Sequence, residues 1–95
     1  MLRSYLVETY LARSREGEAR AAGERLREAA GALADAGASV RYVRTTFLPE
    51  DETCFHLVEA HSRGAVEELS RRADLGRARI VPAIEAFRAT RPQQR

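Results

Sequence analysis

Ninety-five residues carry sixteen arginines and no lysine against fourteen carboxylates, a formal net charge of +2. A chain of this length makes one domain, and its 44% hydrophobic and 32% charged content is that of a folded globular protein, not a disordered one. The small net charge, spread over arginines interleaved with glutamates, argues for solvated helix faces and against a nucleic-acid partner, while the lack of about 18 consecutive uncharged apolar residues argues against a membrane partner.

The N-terminal "MLRSYLVETYLA" has neither a long apolar run nor a small-residue cleavage site. It reads as a first strand rather than a signal peptide, which makes the cytoplasm the expected compartment. Residues 3–11, rich in β-branched and aromatic side chains, form that strand. Residues 15–37 switch to helical period. Ala19, Ala22, Leu26, Ala29, Ala30 and Leu33 share one face, and Gly37 is placed to end the helix in the left-handed conformation. Gly23 inside this helix costs about 1 kcal/mol relative to alanine, so a close approach to the sheet is its expected reason. A second strand at 39–48, a turn at 49–52 and a third strand at 53–60 make a hairpin. Ser62 is an N-cap for a helix at 63–73. A fourth strand at 77–87 contains Pro82, which confines it to an edge or a bulge. Residues 1–87 are thus the domain and 88–95 a polar tail.

The order β-α-β-β-α-β predicts an α+β, ferredoxin-like domain: a four-stranded antiparallel sheet with both helices on one face. The expected strand order is 4-1-3-2, with the first and third strands central and, in this reading, parallel. The other face is left open. A second copy of the chain is the expected cover, giving a homodimeric α+β barrel with a cavity between two stacked sheets.

Alternation along the strands nominates the cavity residues. A carboxylate fits poorly beneath helices, so Glu8 and Glu59 are placed on the open face, as neighbours at one end of the sheet. Two close carboxylates could share a proton as acid or base, or bind a hard cation; the alternative is ion pairing with Arg41 or Arg44. Pairing Thr45 with Phe55 and Val43 with Leu57 adds Val43, Thr45 and Phe47 to the open face and sets Arg41 beside Glu59. Tyr10, Thr45, Phe47, Phe55 and Arg41 are the candidate ligand-binding residues. Tyr5, Tyr10 and Tyr42 could each offer a phenol. Cys54 and His56 point towards the helices, while His61 emerges on the opposite face. The two histidines, weak candidates as metal ligands, therefore diverge within one chain. A single cysteine makes no internal disulfide and no cysteine zinc site.

"SYLVETYL", "FHLVEA" and "AVEELSRRADLGRARI" together resemble the small ferredoxin-like, nickel-binding domain family, formerly a domain of unknown function, over roughly residues 4–85. The resemblance implies a ferredoxin-like fold and nickel as a cofactor, and lays the family's two strand glutamates on Glu8 and Glu59. It departs from the family pattern at the ligands. The strand-three cysteine position is His56, the helix-two histidine position is Leu69 and the strand-two histidine position is Thr45. Nickel prefers imidazole to carboxylate alone, so the expected domain keeps its cavity without a firm claim on the ion.

Two functions follow. The first is a homodimeric binding module whose cavity holds a small molecule, with a metal ion as one candidate. The second is an enzyme. Dimeric α+β barrels of this shape resemble cofactor-free monooxygenases, cyclases and isomerases of small aromatic or polyketide metabolites. There Glu8 or Glu59 would be the general base and Tyr10 or Thr45 would place the substrate.

Overall fold

A computed structural model describes residues 1–89; of the polar tail at 88–95, residues 90–95 lie outside the described residues. The chain runs β1 (Arg3–Tyr10), a short 3-10 turn (Arg13–Arg15), α1 (Gly17–Asp35), β2 (Val40–Leu48), β3 (Thr53–Ala60), α2 (Arg63–Arg72) and β4 (Arg79–Ala83). The four strands form one sheet in the order β2-β3-β1-β4, the α+β arrangement expected from the sequence. Pro82 sits in β4, an edge strand, where its missing N–H removes no bond from the sheet interior.

The strands bury one set of alternate residues against the helices. Tyr5 and Val7 of β1, Val40 of β2, and Cys54, His56, Val58 and Ala60 of β3 are buried, together with Leu26, Ala30 and Leu33 of α1 and Val66 and Leu69 of α2. Ser62 caps α2 by accepting a hydrogen bond from the Ala65 N–H at 3.2 Å. Both helices close in the same way. The residue two past each helix, Gly37 at φ +99° and Asp74 at φ +56°, turns left-handed. The next N–H then reaches back to a carbonyl of the last turn, from Ala38 to Leu33 and from Leu75 to Ser70.

Three expectations are corrected. β1 and β3 are antiparallel, not parallel. The β1–α1–β2 crossover makes β1 and β2 run the same way, and the tight hairpin then reverses β3. β4 ends at Ala83 rather than residue 87, because Ala83 already pairs with Ser4, near the start of β1, and little partner backbone remains beyond it. Finally, β2 slips by one residue. Arg41 pairs with Glu59 and Tyr42 with Val58, but after a bulge at Val43, Arg44 pairs with Leu57 and Thr45 with His56. The extra residue reverses the facing of everything that follows it, so Thr45 and Phe47 lie on the helix side and not on the open face.

Candidate functional site

The open face carries Leu6, Phe55, Leu57 and Val81 at its centre, each half-buried. Glu8 and Glu59 are both on this face, as alternation required, but they are not neighbours. Glu8 lies opposite Phe55 and Glu59 opposite Ser4, four residues apart along antiparallel strands, or about 13 Å at about 3.3 Å per residue. Each is matched with an arginine of the adjacent strand. Both Nε and Nη2 of Arg41 donate to one oxygen of Glu59, at 2.9 and 2.6 Å. Arg79 stands 3.6 Å from Glu8. The expected shared-proton pair is therefore replaced by two ion pairs at opposite ends of the face, with Arg41 as foreseen and Arg79 in the place given to Arg44.

Tyr10 is exposed at the far end of β1, its hydroxyl 3.4 Å from Glu52. Glu52 itself, at φ +48°, ties the hairpin to the exit of β1: its carbonyl accepts from Leu11 N–H and its carboxylate from Arg13 N–H, both at 2.9 Å. His61 is exposed just past β3 and its Nδ1 lies 3.5 Å from the Ser39 carbonyl. His56 lies within the core. No group of three or more His, Cys, Asp or Glu among the described residues could hold a metal ion.

On the helix side the bulge assembles a hydrogen-bonded chain. Tyr42 and Thr45, three residues apart across Val43, both face α1, and their hydroxyls are 2.6 Å apart. The Thr45 hydroxyl is 2.7 Å from His56 Nδ1. His56 is fully buried, and its Nε2 has no partner among the described residues. Burial, with the Arg25 charge adding to it, pushes the imidazole down from 6.5 to about 4, so the ring is neutral at pH 7. Gly23 explains itself here. A Cβ at that position would come within 2.7 Å of Tyr42 Oη and 3.1 Å of Thr45 Oγ1, so any side chain here would displace the two hydroxyls that α1 now rests on. Cys54 is also buried; desolvation raises its thiol pKa, only partly offset by a hydrogen bond with Thr9, which leaves it a poor nucleophile.

The five candidate ligand-binding residues thus divide. Tyr10, Phe55 and Arg41 belong to the open face; Thr45 and Phe47 line a groove between α1 and β2 together with Tyr42. Tyr42 was one phenol among three in the sequence. The signal that could have singled it out is Gly23, whose unfavourable place inside a helix marks the spot where Tyr42 and Thr45 need room. No family model matches the chain, and no curated protein or solved structure matches it.

Proposed function

We propose that this chain is a small-molecule-binding domain that works as a homodimer, two open sheet faces stacking around a shared cavity. One observation carries the reading. The large apolar side chains that are exposed among the described residues, such as Leu2, Tyr10, Leu48, Ile84 and Phe87, lie on the strands or beside them, and neither helix contributes one. Ile84 and Phe87, 93% and 85% exposed, follow the edge strand β4 directly. By register Tyr10 and Leu48 lie on the open face, around the half-buried Leu6, Phe55, Leu57 and Val81, and an apolar surface of this kind marks an interaction surface. A second copy offers the same self-complementary patch about a twofold axis.

In such a dimer Phe55, Leu57 and Leu6 would form the walls of the cavity, with the Arg41–Glu59 and Arg79–Glu8 pairs at its ends. The ligand we propose is organic rather than a metal ion, since the residues standing where the resemblance expects soft ligands include Thr45 and Leu69. The enzymatic alternative asks Glu8 or Glu59 to act as a general base. Each faces a guanidinium instead, and binding is the reading these carboxylates favour. Sedimentation velocity at micromolar concentration tests the dimer: a species of twice the 10.6 kDa chain mass is expected, and Leu57→Arg should convert it to monomer. A wild-type chain that sediments as a monomer would remove the shared cavity.

A further inference from the structure

The side of the sheet opposite the proposed dimer face holds a second polar arrangement, which stands whether or not two copies associate. α1 and the outer edge of β2 leave a groove of about 640 Å³ between them, within the roughly 300–1,000 Å³ usual for small-molecule sites. Val43, Phe47 and Pro49 give it apolar walls, and its charged lining is Arg20, Arg27 and Arg44 with Glu16 and Glu24, a net of +1. The neighbouring Arg20 is paired with Glu24 at 3.3 Å, whereas Arg27 makes no ion pair among the described residues. The bulge at Val43 is what turns Tyr42 and Thr45 towards this groove together, and bulges concentrate beside binding and active sites.

The direction of the hydrogen-bond chain follows from its buried end. A neutral imidazole carries one N–H. Placed on Nε2, that N–H would be a buried donor without a partner, which folded proteins rarely tolerate; placed on Nδ1, it donates to Thr45 and leaves Nε2 as a bare lone pair. Thr45, accepting from His56, donates to the Tyr42 oxygen 2.6 Å away. The Tyr42 O–H is then not consumed inside the core and is free to donate into the groove. With Glu24 held by Arg20, a polarised hydroxyl donor and the Arg27 guanidinium beside apolar walls complement an anion on a flat apolar body, in a lining whose arginines outnumber its carboxylates.

We propose that the groove between α1 and β2 binds an aromatic carboxylate, its carboxyl group accepting from the Tyr42 hydroxyl and countered by Arg27. The test titrates 1-naphthoate into the isotopically labelled full chain and follows backbone amide shifts, with neutral 1-naphthamide as control. Saturable shifts are expected at residues 23, 27 and 42–47, with the amide binding at least roughly tenfold more weakly. Arg27→Gln, at an exposed position that leaves the fold intact, and Tyr42→Phe should each weaken 1-naphthoate by roughly tenfold, the loss expected for one hydrogen bond to a charged group. Nitrogen NMR of the His56 ring should find the proton on Nδ1. Absence of saturable shifts in this groove, equal binding of acid and amide, an unchanged Arg27→Gln variant, or a proton on Nε2 would each overturn the proposal.

Discussion

The two faces of this sheet are made from the same strands, yet they solve different problems. The helix side buries a largely apolar core, and among the described residues it buries the ionisable Cys54 and His56 completely or nearly so, the latter held neutral and hydrogen-bonded through Thr45 to Tyr42. The open side keeps its carboxylates, but only by setting each beside an arginine of the neighbouring strand. On the covered face the buried imidazole is neutral; on the uncovered face each carboxylate is set beside a guanidinium.

The contrast is broken most severely by truncating one apolar residue on each side. Leu69→Ala, on the buried face of α2, should cost about 3 kcal/mol in urea unfolding, because a fully buried leucine leaves a cavity. Leu57→Ala on the half-buried open face should cost less than about 1 kcal/mol in the isolated chain while weakening self-association. Equal losses at the two positions would mean that the faces are not distinct.

Acidification separates the faces next. The folded-state pKa of His56 is lowered from 6.5 to about 4, so between those values the unfolded chain binds a proton that the folded chain refuses. The stability contributed by a neutral His56 is therefore fully present above about pH 6.5, declines as pH falls towards 4 and levels off below that. The share due to His56 is at most about 3 kcal/mol. Chemical unfolding across this range should show the decline, and His56→Gln should flatten it relative to wild type. On the open face the expected effect is smallest: Glu8→Gln and Glu59→Gln should each change stability by less than about 1 kcal/mol, as partly solvated ion pairs do, with the Glu59 change shrinking further in high salt.

Much of this contrast was legible in the sequence. Alternation, with the cost of a carboxylate beneath helices deciding which set faces out, assigned Cys54 and His56 to the helices and Glu8, Phe55 and Glu59 to the open side, because a strand half-covered by helices must sort its residues by period two. It also placed Arg41 beside Glu59. Strand direction was available from connectivity but misread, and that single error brought Glu8 and Glu59 together at one end. The bulge is a different matter. One additional residue at Val43 leaves "RYVRTTFL" equally apolar on both parities, so nothing in the pattern announces that Thr45 and Phe47 have changed sides. The change shows in the register of β2 against β3 and in the contact of Gly23 with the two hydroxyls.

In the proposed dimer the open face is covered by a second copy. Isotope-filtered NMR on a mixture of labelled and unlabelled chain reports contacts between copies directly. Intermolecular contacts from Leu6, Phe55, Leu57 and Val81, with none from α1 or α2, are the predicted result. Contacts arising from the helices, or no intermolecular contacts at concentrations where the chain sediments as a dimer, would contradict it.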